Sequence, residues 1–271
     1  MTRVVLVTGS TDGIGRAAAR LLAAGGMKVI VHGRSKTKVD LALAKLREEL
    51  PGGDLEGVAF DLGTIAGVRR GVDLIKELAP QLHVLVNNAG IFAPERVLNN
   101  EGNEATIAVN FLAPFALTEL LAPLLIASAT EIPSRVIDVS SMAHTRGRIH
   151  LEDLQLANAW TGYAAYAQSK LALVMHAMSL ADHHPVDKLV GYALHPGVIA
   201  TKLLRQGFGP VQGKSVEVGA KAIATLAGGE TIDNPPGTYF SDGVATPAAT
   251  AARDPAVREQ LWDLAKRLTS T

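Results

Sequence analysis

Tyr166 and Lys170 stand four positions apart in YAQSK, a spacing that places two side chains on one face of a helix. A phenol in water titrates near ~10 and is a poor acid or base at neutral pH. A neighbouring ammonium stabilises the phenolate, so the pair has the makings of a general acid and base. Lowering the phenol by about two to three units asks for roughly 3 to 4 kcal/mol of differential stabilisation. A tyrosine and a lysine meet at this spacing by chance as well, so their surroundings carry the weight. Ser140 and Ser141 close the run SRVIDVSS. As consecutive strand residues they point to opposite faces, and one of them looks into whatever crevice the strand end borders. A hydroxyl there can hydrogen-bond a substrate carbonyl oxygen while the tyrosine delivers a proton. Asn110 lies four residues before Pro114 in TIAVNFLAPF. Proline has no N–H and crowds the carbonyl four residues back, so a kink is expected that frees the Asn110 backbone oxygen. Either that oxygen holds a water beneath Lys170 as part of a proton relay, or the kink serves packing alone.

The elements that must position these groups are legible from periodicity. Short β-branched runs, VVLV, MKVIVH, LEGVAF, HVLVNN, SRVIDVS, KLVGYALH and GTYFS, alternate with segments of helical period over 13–25, 36–49, 64–79, 99–127, 162–184, 215–228 and 254–269. Continuous apolar runs separated by helices are the mark of βαβ units with doubly buried parallel strands. The expectation is an α/β protein, a single Rossmann domain over 1–271. It would carry a doubly wound, seven-stranded parallel sheet with helices on both faces. The connections 142–161 and 198–214 are long, contain glycine and follow strand ends, where open α/β sheets bind ligands.

Composition narrows the chemistry. The chain has 271 residues, 48% of them hydrophobic and 19% charged, enough apolar content for a large core and too much for a disordered or collagen-like chain. Twenty-six basic residues balance 26 acidic ones, leaving no net field to gather nucleic acid or anionic lipid. There is no cysteine, which removes disulfides, thiolate metal sites and a cysteine nucleophile. No histidine set has metal-ligand spacing beyond the adjacent His183 and His184, so no metal is expected. The apolar start Val4 to Val7 is too short for a signal peptide and no run of 18 apolar residues follows, so a soluble, cytoplasmic protein without a membrane partner is expected.

After the first strand comes TGSTDGIG, with Gly9, Gly13 and Gly15 at a strand-to-helix turn. Glycines there permit positive φ and let helix N-terminal N–H groups face a pyrophosphate. Arg34 follows 19 residues after Gly15, at the end of the second run, and no acidic residue occurs between Asp12 and Asp40. A carboxylate at such a place would bind a ribose 2′-hydroxyl, whereas a guanidinium suits a 2′-phosphate. NADP(H) is thus expected over NAD(H), with Ser35, Lys36 and Lys38 beside the arginine; the alternative is a solvated helix entry. Asp61 either accepts from an adenine amino group or caps the next helix. The expected contacts on this side are Gly9, Ser10, Thr11, Gly13, Ile14, Gly15, Arg34, Ser35, Asp61 and Leu62.

As a set, these motifs resemble the short-chain dehydrogenases/reductases over residues 3 to 269. TGSTDGIG is similar to the family's TGxxxGxG turn, Asn87 to Gly90 to its NNAG motif, YAQSK to YxxxK, and HPGVIAT to its PG motif beside the nicotinamide. The resemblance implies Asn110, Ser141, Tyr166 and Lys170 as a catalytic tetrad, Ser141 being favoured over Ser140 because the family's serine is the second of the pair. It also implies cofactor contacts at Asn88, Ala89, Gly90, Tyr166, Lys170, Pro196, Gly197, Val198 and Thr201. Ser141 and Tyr166 are 25 positions apart, where the family commonly has about a dozen residues between them. That longer segment, together with GTYFSDG, resembles the retinol dehydrogenase and WW-domain oxidoreductase branch. The implied function is hydride transfer between NADP(H) and a small apolar to moderately polar carbonyl or alcohol. A cofactor-binding sensor or scaffold without catalysis is the competing reading. The family implies homodimers or homotetramers built through the helices around Asn110 and Tyr166.

Among the remaining residues, His144 and His150 read as solvated loop histidines and His195 as a strand-end residue. Trp160 is a candidate substrate wall, and Tyr163 has Ala167 where a lysine partner would be. Phe92 and 203–213 are candidate pocket lining, with Gly207 and Gly209 as hinges of a lid.

Overall fold

The apolar runs form strands that are paired in parallel and buried between two helical layers. In the computed structural model, which describes residues 2–229 and 231–271, they are β1 (Val4–Val7), β2 (Lys28–Gly33), β3 (Leu55–Ala59), β4 (Val84–Asn87), β5 (Ser134–Val139), β6 (Leu189–His195) and β7 (Tyr239–Ser241). The sheet order is β3-β2-β1-β4-β5-β6-β7-β8. The eighth strand corrects the expected seven. β8 (Val244–Ala245) turns back antiparallel on β7, with Phe240 opposite Ala245 and Ser241 opposite Val244. Asp242 and Gly243 make the turn with φ of 50° and 84°, the paired positive angles that a two-residue hairpin requires.

The helices are α1 (Gly13–Ala24), α2 (Lys36–Glu49), α3 (Ile65–Leu78), α4 (Ala105–Ile107), α5 (Ala113–Ser128), α6 (Gly162–His183), α7 (Lys202–Phe208), α8 (Val216–Gly228) and α9 (Pro255–Thr269). Polar residues set their starts. Asp12, Thr64, Thr161 and Asp254 each accept a first-turn N–H, the usual way of satisfying orphan donors at a helix N-terminus. The helix expected over 99–127 begins only at Ala105, because Glu104 caps it by accepting from the Ile107 N–H. Between α4 and α5 the chain widens into a π-helical turn, Ala108–Leu112. Pro114 thus produces the expected irregularity as a bulge. The stretch Ala105–Ser128 is long and apolar enough to cross a membrane, with a mean hydropathy of 1.8. In this fold it lies against the sheet, with Phe111, Phe115, Leu117 and Leu121 fully buried.

Strand residues alternate between the two layers. Val4 and Leu6 join the core shared with α3, α5, α6 and α9, whereas Val5 and Val7 join the core shared with α1, α2 and α8. Complete burial of each such side chain contributes roughly 1.5–3 kcal/mol. The connections after β5 and β6 are more ordered than expected. The first contains 3₁₀ turns at Met142–Arg146 and Leu151–Asp153, and the second contains α7. Both border a cavity of about 1070 Å³ at the carboxyl ends of the strands.

Candidate active site

The turn between β1 and α1 is shaped by close packing. Gly9 has φ +63°, and a Cβ there would lie 2.8 Å from Ala89 Cα. A Cβ on Gly15 would collide with the Asn88 amide and the Gly9 carbonyl. Gly13, at φ +56°, would place a Cβ no closer than 4.0 Å to Thr201 Cγ2 and needs glycine for its backbone alone. Thr11, Gly13, Ile14 and Gly15 line the cavity. Ser10 does not, which corrects its expected role. Its hydroxyl is fully buried, donating to Val7 O at 2.7 Å and accepting from the His32 N–H at 2.9 Å.

Two residues that sequence reasoning passed over hold this turn. The Gly9 N–H donates to His32 Nδ1 at 3.1 Å, so Nε2 carries the proton and donates to Phe60 O at 3.1 Å. Burial pushes His32 down to about 4, which keeps the ring neutral and this tautomer intact. Thr8 Oγ1 accepts from the N–H groups of Asn88 and Ala89, both at 3.0 Å. The Asn88 amide donates to Thr8 O at 2.8 Å and Gly9 O at 3.3 Å, so this expected cofactor contact lines the cavity while its side chain braces the turn. Ala89 and Gly90 line it beside Asn88.

Arg34 and Lys38 are exposed at the cavity's edge, whereas Lys36 is engaged with Asp40 at 2.7 Å. Ser35, next to Arg34, occupies the N-cap position of α2 without a side-chain cap hydrogen bond and is half-buried outside the cavity lining. Asp61 and Leu62 line the cavity. Asp61 Oδ1 accepts from the Gly63 N–H at 2.9 Å, and the cap of α3 falls to Thr64. Across the cavity lie Pro196, Gly197, Val198 and Thr201. Thr201 caps α7, and Lys202 next to it reaches Asp12 on the glycine turn at 2.8 Å. These features fit a dinucleotide: backbone N–H groups at the turn, the cations Arg34 and Lys38 in the lining, and α7 residues Lys202 to Gln206 bordering the same cavity.

At the other end of the cavity, Tyr166 is buried and hydrogen-bonded to the Ser141 hydroxyl. Ser141 Oγ also accepts from the Ala143 N–H at 3.2 Å. Ser140 is committed elsewhere, donating to Lys170 O at 2.7 Å. Lys170 Nζ donates to Val139 O at 2.8 Å and sits 5.7 Å from the Tyr166 ring centroid. Burial pushes Lys170 down to about 8, opposed by the Asp138 charge. Burial also pushes Tyr166 up to about 12, with the Ser141 hydrogen bond opposing it. In these surroundings desolvation outweighs the hydrogen bond and the ammonium is aimed at the Val139 carbonyl; the expected lowering rests on a nicotinamide's positive charge as well as on Lys170.

Asn110 acts through its side chain, from within the π turn. Oδ1 accepts from the Ile91 N–H at 2.8 Å, and Nδ2 donates to Ile91 O at 2.9 Å and to Ser169 Oγ at 3.0 Å. It thereby ties the segment after NNAG to the helix turn that carries Lys170. Gly90 fits between these groups, since a Cβ there would lie 3.3 Å from Lys170 Nζ.

Other expectations shift. Trp160 lies outside the cavity lining and donates to Glu104 at 3.1 Å. His150 is exposed, and His195 lines the cavity with burial lowering its pKa. His144 is buried. Gly207 lies inside α7, and a Cβ there would lie 2.6 Å from the Phe92 ring, so its smallness serves packing. Tyr163 and Leu203 line the cavity, while the Phe92 ring packs 5.5 Å from Tyr166.

Fold and site together define a nicotinamide-dependent oxidoreductase of the short-chain dehydrogenase family, and the model of that family, described as short chain dehydrogenase, matches residues 3–208. The chain belongs to this family. Within it, the chain falls in the retinol dehydrogenase-like branch. It is 36% identical over 280 residues to polyprenol dehydrogenase from Mus musculus, covering 98% of this chain and 84% of that one. It is 33% identical over 275 residues to retinol dehydrogenase 12 from Homo sapiens, covering 98% and 86%. Among solved structures, a short-chain dehydrogenase from Shigella flexneri complexed with NADP superposes with a TM-score of 0.72 at 26% identity, covering 89% of this chain and 96% of that one.

Proposed function

We propose that this protein is an NADP(H)-dependent dehydrogenase/reductase acting on an apolar alcohol or carbonyl. The observation that carries the reading is the hydrogen bond between Ser141 and the buried Tyr166, beside Lys170, in a cavity that Arg34 and Lys38 also line. Gly13 and Ile14 would face the pyrophosphate, Arg34 and Lys38 a 2′-phosphate, and Pro196 to Thr201 the nicotinamide side. The bound cofactor would supply or accept the hydride at the substrate carbon.

In the reductive direction the Ser141 hydroxyl donates to the substrate carbonyl oxygen and makes the carbon more electrophilic. Tyr166 then gives its proton to the same oxygen as negative charge develops there. Burial keeps the phenol protonated and by itself makes it a weaker acid; cationic charge brought near it, from Lys170 and an oxidised nicotinamide, would make it easier to ionise. Lys170 steadies the resulting phenolate, and Asn110 keeps the Ile91 segment and α6 in register. In oxidation Tyr166 accepts the alcohol proton.

The apolar wall formed by Ile91, Met142, Leu203, Leu204 and Val211 supports an apolar substrate body, as do the names of the polyprenol and retinol relatives. NADPH oxidation against a panel of aldehydes and ketones, with NADH in parallel, tests the reading. Turnover with an NADPH preference is expected. Tight NADPH binding without turnover of any carbonyl would favour the sensor.

A further inference from the structure

His144 follows the catalytic serine by three residues and is almost fully buried, 1% exposed. Both ring nitrogens are engaged by backbone. The Ala249 N–H donates to Nε2 at 3.2 Å, and Nδ1 lies 2.8 Å from Ser141 O. An amide N–H is always a donor, so Nε2 must present its lone pair. The neutral ring then carries its proton on Nδ1 and donates it to the Ser141 carbonyl. That carbonyl also accepts from the His144 N–H at 3.1 Å. The ring rests against Tyr239 on β7, 4.5 Å between centroids. Ala143 and Thr145 line the cavity, but His144 does not, so it can act on substrate only through Ser141.

We infer that His144 is a positioning residue that clamps Ser141 and ties the serine's orientation to the C-terminal segment at Ala249. The inference rests on the dehydrogenase reading for its catalytic consequence. Ser141 is held at both ends, its carbonyl by His144 and its hydroxyl oxygen by the Ala143 N–H. Fixing the carbonyl fixes the Cα–Cβ direction, and with it the hydroxyl's aim at Tyr166. Ala249 directly precedes the 3₁₀ turn Thr250–Arg253 that leads into α9, so packing of the C-terminal helix bears on the catalytic serine through one imidazole.

The test has a structural arm and a kinetic arm. ¹⁵N-edited histidine NMR at neutral pH, with His144 assigned by its loss in His144→Asn, is expected to show a neutral ring protonated at Nδ1. A proton on Nε2, or a charged ring, overturns the inference. His144→Phe retains the contact with Tyr239 but removes both hydrogen bonds, and it is expected to lower kcat about tenfold with the KM for NADPH unchanged, because misplacement of a catalytic group is costly. His144→Asn restores an amide donor toward the Ser141 carbonyl and leaves Ala249 without an acceptor. It is expected to recover most of kcat while losing as much thermal stability as the Phe variant. Equal loss of kcat in both variants, in step with thermal stability, overturns the inference, as does wild-type kcat in both. Should His144→Phe fail to fold, a tenfold loss of kcat in His144→Asn alone overturns it. Absence of turnover in the wild-type protein would instead remove the dehydrogenase reading. The clamp would then stand or fall on the tautomer and on faster exchange of the Ala143 amide in the variants.

Discussion

At the nucleotide end of the cavity, most polar side chains are spent on the protein's own backbone. Ser10, Thr8, Asn88 and His32 each bond main-chain groups of the turn or of neighbouring strands. On the proposed reading a ligand there would meet backbone N–H groups and the exposed Arg34 and Lys38. At the catalytic end the arrangement reverses. Tyr166 and Lys170 are buried side chains beside the partly buried Ser141, and burial shifts the proton affinities of both Tyr166 and Lys170. On the proposed reading, substitutions at the glycine-turn end are expected to act through stability and cofactor choice, and those at the Ser141–Tyr166 end through turnover. Each end also has a buried neutral histidine whose tautomer is fixed by a backbone N–H, His32 under the glycine turn and His144 under the serine.

The contrast can be broken most sharply at the serines. Ser141→Ala should lower turnover by about 10²–10³ with NADPH dissociation unchanged, the magnitude of losing one preorganised donor to a developing oxyanion. Steady-state kinetics with fluorescence binding checks it, and a loss confined to cofactor affinity would contradict the assignment. His32 gives the next effect. Its pKa is about 4 in the fold against an ordinary 6.5, so between those values the unfolded chain binds a proton that the folded chain does not. Stability is therefore retained above 6.5 and falls by about 3 kcal/mol as the pH drops toward 4. Urea unfolding across that window should show a slope in the wild type that His32→Gln lacks; parallel curves would remove His32 from the account.

Arg34→Ala should weaken NADPH binding by about 10- to 100-fold and leave NADH binding nearly unchanged, the range for losing a hydrogen bond to a charged group. Equal weakening of both cofactors would place the arginine away from the 2′-phosphate. Smallest is Ser140→Ala, which leaves the Lys170 carbonyl without its hydroxyl donor. It should cost about 1 kcal/mol of stability and little turnover, read by unfolding midpoint and kcat. A large loss of kcat would mean that the two serines have been assigned the wrong way round.

The main elements were legible because parallel strands buried on both faces read as apolar runs, and α2 spans the expected 36–49. That Tyr166 and Lys170 share one helix was legible from their spacing, and Arg34 could be placed at a strand end because it directly follows the apolar run that forms β2. What escaped depends on partners distant in the chain. Thr8 and His32 matter through hydrogen bonds to residues that topology brings close, and His144 through Ala249, 105 residues away. Ser10 was misplaced because a tight turn has no period from which to read side-chain direction. Pro114 announced an irregular helix, but only the packed structure shows it as a π turn. β8 consists of two exposed residues, too few to make a pattern.

Whether Tyr166 supplies the proton is read by single-turnover NADPH oxidation in Tyr166→Phe beside the wild type. The ring and its burial are kept and only the hydroxyl is lost. The hydride-transfer rate is expected to fall about 10³-fold, within the 10²–10⁴ range of general acid–base catalysis, with NADPH bound as tightly as before. A rate within about threefold of wild type would contradict it and leave the buried phenol a structural role.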